Sequence, residues 1–157
     1  MQIRLAAQGD IPGLLGLLQQ VGRVHHDIRP DLFRSDACKY DEEALRALLQ
    51  DWQRPIFVAE EDGILGYAFC ILQRTDKDSV LADRRTVYID DLCVDETCRG
   101  QGVGKALYQA VLDFARQWGA YNVTLNVWAG NDSALHFYEK MGLKPQKFGM
   151  ETILQEE

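Results

Sequence analysis

The segment that most limits the fold runs from Thr86 to Trp118. A β-rich apolar run, "TVYIDDLCV" (Thr86 to Val94), passes through a short polar stretch into glycines at alternate positions, Gly100, Gly102 and Gly104. A helical stripe follows, formed by Val103, Leu107, Val111, Phe114 and Trp118. Strand, glycine turn and helix in that order require a sheet with a helix packed across it. They also aim free N–H groups and the positive end of a helix dipole at one point, which suits a phosphate.

The other elements follow from periodicity and punctuation. Gln2 to Ala6 reads as a strand. Asp10 caps a first helix with Pro12 in its first turn, and Ile11, Leu14, Leu15, Leu18 and Val21 share a face. Gly22 to Asp41 contains Pro30 and two adjacent histidines, and reads as a loop with some helix. Asp41 caps a second helix with apolar positions Leu45, Leu48, Leu49 and Trp52. Pro55 to Leu72 is two strands around Glu61-Asp62-Gly63, a hairpin signal. Gln73 to Arg85 is a loop. Tyr121 to Trp128 is a strand, Asn131 or Asp132 caps a helix through Met141, Gly142 ends it, and a final strand or two closes the chain. The order β-α-α-β-β-β-α-β-α-β predicts an α/β (α+β) fold, with a mixed sheet covered by helices, in one domain over residues 1–157.

Charge narrows the function. The formal net charge of −7 argues against a nucleic-acid partner, which calls for a basic footprint, and favours a cationic partner such as an amine. Cys38, Cys70, Cys93 and Cys98 show no C-x-x-C pair and no ligand spacing with histidine, so they read as reduced thiols and no metal site is expected. Absence of a leader and of an apolar run near 18 residues predicts a cytoplasmic protein without membrane contact.

Three phosphate loops compete for the glycines. A P-loop needs a glycine where Arg99 stands and a hydroxyl where Ala106 stands. A dinucleotide fingerprint needs its third glycine at Lys105 or Leu107, and an acidic residue near Thr124. Both fail. What remains is R-x-x-G-x-G on Arg99, Gly102 and Gly104, with Lys105 adding charge. "IDDLCVDETCRGQGVGKALYQAVLDFA" resembles motif A of the GNAT superfamily of acyl-CoA-dependent N-acetyltransferases. "NVTLNVWAGNDSALHFYEKMGL" resembles its motif B, on Asn131, Ala134, Phe137, Tyr138 and Gly142.

The resemblance implies a mostly antiparallel mixed sheet with helices on both faces and two central parallel strands that splay. Acetyl-CoA, as co-substrate, would lie in the splay. Its pantetheine would pair with Leu92, Cys93 and Val94, and its pyrophosphate would sit on Arg99, Gly100, Gln101, Gly102, Val103, Gly104 and Lys105. Asn131, Ala134 and Phe137 would complete the site, with Asn131 capping its helix as well or instead. An N–H near Val94 would polarise the thioester, Asp90 (favoured over Asp91) would serve as base, and Tyr138 would protonate the leaving thiolate. Asp90 and Asp91 alternate faces unless a bulge intervenes. The loop carrying His25, His26, Arg29 and Phe33, with Asp91, would meet the acceptor. Arg29 either binds a substrate carboxylate or pairs with Asp27 or Asp31. No base stands by Cys93 for a covalent route. A homodimer is a further expectation from the family. The expected activity is transfer of acetyl to a primary amine of a small molecule or peptide; the alternative is a non-catalytic acyl-CoA-binding module.

Overall fold

The computed structural model describes residues 1–155. Five strands, β1 (Gln2–Leu5), β2 (Ile56–Glu60), β3 (Ile64–Thr75), β4 (Arg84–Val94) and β5 (Asn122–Leu125), form one sheet in the order β1-β2-β3-β4-β5. All neighbours are antiparallel except β4 and β5, which are parallel. The helices are α1 (Ile11–Ile28), α2 (Glu42–Leu49), α3 (Val103–Trp118) and α4 (Asp132–Lys140). The chain divides into two compact units, Met1–Asn126 and Val127–Glu157. No helix among the described residues is long and apolar enough to cross a membrane.

In the N-terminal unit the strands alternate between two faces. Ile56, Val58, Tyr67 and Phe69 pack with Leu14, Leu17 and Leu18 of α1 and Leu45 of α2. On the other face Phe57 meets Phe114 of α3 edge-on, ring centroids 5.6 Å apart. Gly66 is required there, because a Cβ would lie 2.8 Å from the Cys93 carbonyl oxygen and 3.0 Å from Leu107 Cδ1.

Asp10 starts α1 as expected, but its carboxylate does not cap the helix. It accepts from both terminal nitrogens of Arg4, at 2.7 and 2.9 Å, and from the Ala7 N–H at 2.8 Å. The Arg4 bonds are the main cause that holds this nearly buried carboxyl below the ordinary carboxylate value. A depressed folded pKa gives stability that is present above the unfolded pKa and lost as pH falls through the folded value. Asp10→Ala is therefore expected to lower the melting temperature at neutral pH. The difference from wild type should shrink in acid, below about pH 4, where the unfolded carboxyl protonates; a constant difference across that range would contradict the pairing.

Three expectations change. Helix α1 continues to Ile28, so His25 and His26 lie in its last turn and not in a loop. Their place is favourable at the negative end of the helix. Trp52 lies beyond α2 and is 73% exposed, so it is not on the helix's apolar face. The final strand or two is absent: residues 143–155 form no strand. The hairpin stands, with Asp62 at φ 53° and Gly63 at φ 121°.

Candidate active site

The β4–β5 pairing runs from Thr86↔Asn122 to Ile89↔Leu125 and stops, while β4 continues to Val94. Asp90 to Val94 thus extends beyond the last β4–β5 pair, at Ile89. At that same point β4 is irregular against β3: Phe69 faces Asp91 and Cys70 faces Ile89, which leaves Asp90 as the extra residue. This bulge shifts the alternation by one. Ile89, opposite Cys70, is on the α3 face; without the bulge Asp91 would be too. Instead Asp91 and Cys93 stand opposite Phe69 and Tyr67 on the α1 face, and Leu92 and Val94 stand opposite Ala68 and Gly66 on the α3 face. The bulge also brings Asp90 to the side where the loop after α1 lies.

The two carboxylates are held differently. Asp90 accepts from Lys39 Nζ at 2.8 Å and from the Tyr40 hydroxyl at 2.7 Å. Lys39 Nζ is also 5.8 Å from the centre of the Tyr40 ring. Asp91 accepts from the Tyr67 hydroxyl at 2.6 Å. Burial raises the Asp91 pKa above its ordinary value, with the Tyr67 bond and the nearby Lys39 and His25 opposing the rise. Burial and Asp90 likewise raise Tyr40, and burial and Asp91 raise Tyr67, so both phenols keep their protons to donate. Burial, aided by Asp91, pushes the Cys93 thiol up to about 12, and the Cys93 side chain faces the Leu17 carbonyl oxygen at 3.7 Å.

Beyond Val94, the Asp95 carboxylate accepts from the Thr97 N–H at 2.9 Å and turns the chain. Arg99, Gly100 and Gln101 are exposed, and Gly100 (φ 79°) and Gly102 (φ 82°) are left-handed, a conformation that favours glycine. Gly104, expected in the turn, lies inside the first turn of α3. The N–H groups of Val103, Gly104 and Lys105 precede the first helical bond, Ala106 N–H to the Gly102 oxygen at 3.0 Å. With Arg99 and Lys105 they form a cationic, donor-rich turn between β4 and α3.

In the segment expected to meet the acceptor, His26 Nδ1–H donates to the Phe33 carbonyl at 2.7 Å, and the His25 and Phe33 rings are 5.0 Å apart. Arg29 donates bidentately to Asp31 at 2.9 and 2.8 Å, one of its two expected structural pairings. The structure therefore brings Asp90 and Asp91 together with Lys39, Tyr40 and Tyr67, which sequence reasoning had not singled out. Tyr67 was legible from the alternation of β3; Lys39 and Tyr40 sit in an aperiodic loop that carries no such signal.

In the C-terminal unit, Asn131 caps α4 by accepting from the Ala134 N–H at 3.3 Å, and Gly142 (φ 99°) follows the helix. Phe137 and Tyr138 are half-buried, their rings edge-on at 5.2 Å. Among the described residues no group of three His, Cys, Asp or Glu side chains is placed to hold a metal ion.

The N-terminal unit thus joins a mixed sheet, a β4 strand that runs past its parallel partner β5, two carboxylates on that overhang and the free first-turn amides of α3. The profile of the "Acetyltransferase (GNAT) family" matches residues 23–143. The chain belongs to that family. It is 31% identical over 104 residues to N-alpha-acetyltransferase 30 of Schizosaccharomyces pombe, covering 66% of each chain. It is 38% identical over 71 residues to glucosamine 6-phosphate N-acetyltransferase of Trypanosoma brucei brucei, covering 45% of this chain and 46% of that one. These matches span less than two thirds of the relatives' own length. A solved variant of the BH1408 protein of Bacillus halodurans shares 32% identity and superposes with a TM-score of 0.94 over 99% of this chain and 100% of that one. The fold expected from the motifs, a mixed and mostly antiparallel sheet with helices on both faces, is the fold of these structures.

Proposed function

We propose that the chain is an N-acetyltransferase that moves an acetyl group from acetyl-CoA to a primary amine by direct attack. The observation that carries this is the stretch of β4 from Asp90 to Val94, beyond its β5 partner and leading into the first-turn amides of α3. With pyrophosphate on those amides and on Arg99, a pantetheine arm enters along Val94, Cys93 and Leu92 as an added strand would. Extended chain advances roughly 3.3 Å per residue, so the thioester end is carried inward from Val94 toward the bulge. There the carboxylates stand.

We assign the base to Asp91 in preference to Asp90. Both oxygens of Asp90 are engaged by Lys39 and Tyr40, whereas the Tyr67 bond occupies one oxygen of Asp91. A carboxyl whose pKa is raised accepts a proton better near neutral pH. Asp91 takes one proton from the ammonium to free the amine for attack; attack forms an N–C bond and breaks the C–S bond, Tyr138 supplies the proton to the departing thiolate, and the second proton shed by the new amide nitrogen restores the phenol. Cys93 keeps its proton at neutral pH, so it is a poor nucleophile and a covalent acyl-cysteine step has no support. The acceptor is a cationic alkyl amine of a small molecule or peptide. Two observations support this: Arg29 is paired with Asp31, and Asp90 with the Tyr40 ring already holds one ammonium, that of Lys39. The reaction would take place in the cytoplasm.

Incubation with acetyl-CoA and a panel of amines, followed by free-thiol release, tests this. Tight CoA binding without amine-dependent release would leave only an acyl-CoA-binding module. Tyr138→Phe is expected to lower kcat about 10²-fold or more with little change in CoA affinity. An equal loss in both would remove Tyr138 from the acid role.

A further inference from the structure

Lys39 is tied down on both sides along the chain. Before it, the Ala37 carbonyl lies against α1 at Gly22, where a Cβ would run into it. After it, the Tyr40 ring stacks on Phe69 with centroids 5.4 Å apart, and the Tyr40 hydroxyl bonds to Asp90. The lysine backbone is therefore fixed, and its ammonium reaches the bulge in β4. Nζ lies 2.8 Å from Asp90 Oδ1 and 3.5 Å from the Asp90 carbonyl oxygen, against the main chain of the strand itself.

The pair is unequal in exposure. The Asp90 side chain is 13% exposed and the Lys39 side chain 45%. An ion pair with so exposed a lysine adds little to the fold, so its place calls for another reason. Asp90 is the first residue of β4 past its last pairing with β5. On the reading above, a thioester would arrive along the overhang from Val94 toward that residue. A primary alkyl amine of the chain's own thus stands where the amine acceptor is expected.

We propose that Lys39 is an acceptor within the chain: the protein transfers an acetyl group from acetyl-CoA to its own Lys39 Nζ. This rests on the reading of the chain as an N-acetyltransferase. One proton leaves the ammonium along its hydrogen bond to Asp90 and passes to water. Nζ then attacks the thioester carbonyl. The N–C bond forms, the C–S bond breaks, and the sulfur leaves with the electron pair and takes up the second Nζ proton as a thiol. The product amide is neutral, so Asp90 loses its charged partner and keeps the Tyr40 hydroxyl. The tether replaces the encounter with a second molecule.

Incubation with isotopically labelled acetyl-CoA and no added amine, followed by peptide mapping, tests this. Label is expected at Lys39 at least about tenfold faster than at the exposed Lys77 and Lys147. The half-time should not change when the protein is diluted. Asp90→Asn should slow Lys39 to the rate of those two lysines in a chain that still melts cooperatively. Lys39 labelled no faster than Lys77, a half-time that shortens with protein concentration, or a folded Asp90→Asn labelled at the full rate would each overturn the proposal. Should that variant fail to fold, the first two comparisons, made on the wild-type chain, decide. The amine panel run in parallel separates the two readings. Amine-dependent thiol release without label on Lys39 overturns the self-acetylation alone; neither release nor label overturns both.

Discussion

Asp91→Asn is expected to lower kcat/KM for an amine acceptor by about 10²–10⁴-fold while leaving the melting temperature at neutral pH unchanged or raised. The two effects part because the charge proposed to serve the chemistry is costly to the fold. Burial lifts the folded pKa of Asp91 above its ordinary value. A carboxyl raised in this way contributes its full stability below the unfolded pKa and loses it as pH rises through the folded pKa. At neutral pH the ionised form is therefore the destabilising one. Asparagine removes that charge and keeps an oxygen for the Tyr67 hydroxyl, which lies 2.6 Å from Asp91 Oδ2. The wild-type kcat/KM should rise with pH along a limb above the usual carboxylate range, and the limb should vanish in Asp91→Asn. A fully active Asp91→Asn beside an inactive Asp90→Asn would return the base to Asp90. A melting temperature several degrees lower would contradict the burial argument.

The turn expected to meet the donor was more legible in the sequence than the segment expected to meet the acceptor, for physical reasons. Local chemistry fixes the turn into α3: Gly100 and Gly102 must be left-handed, and Arg99 and Lys105 flank amides that every helix N-terminus leaves free. The Asp41 and Asn131 caps and the Asp62-Gly63 hairpin are local in the same way. The acceptor side depends on contacts between residues far apart in the chain. Asp90 meets Lys39 and Tyr40 from about 50 positions away, and Asp91 meets Tyr67. The bulge that sets which face Asp91 occupies arises from the pairing of β3 with β4, and nothing in "YIDDLCV" alone announces it. The length of α1 was hidden by Gly22, which looks like a helix breaker in sequence. The closing strand was expected from alternation, and residues 143–155 form none, because a pattern of faces does not by itself supply the hydrogen-bonding neighbour a strand needs.

Gly22→Ala is expected to destabilise the protein by about 1–3 kcal/mol and to raise KM for the acceptor. Ala ordinarily favours a helix over Gly by about 1 kcal/mol, so a naive expectation has the opposite sign. The clash decides. A Cβ at Gly22 would run into the carbonyl oxygen of Ala37 and lie 2.9 Å from its carbon. That neighbour is backbone, so no rotamer change relieves the overlap, and the loop must lift from α1. The same loop carries Lys39 and Tyr40, two and three residues on, to Asp90. Lifting it withdraws the phenol and the ammonium that hold that carboxylate and reshapes the surface the amine would meet. Gly16→Ala on the same helix is the matched control. Gly16 is exposed and nothing lies within 4 Å of its would-be Cβ, so only the helical preference acts and the melting temperature should rise. If Gly22→Ala and Gly16→Ala both stabilise, the loop yields at no cost and cannot be what positions Lys39 and Tyr40. If Gly22→Ala destabilises without changing KM, the loop matters to the fold but not to the acceptor.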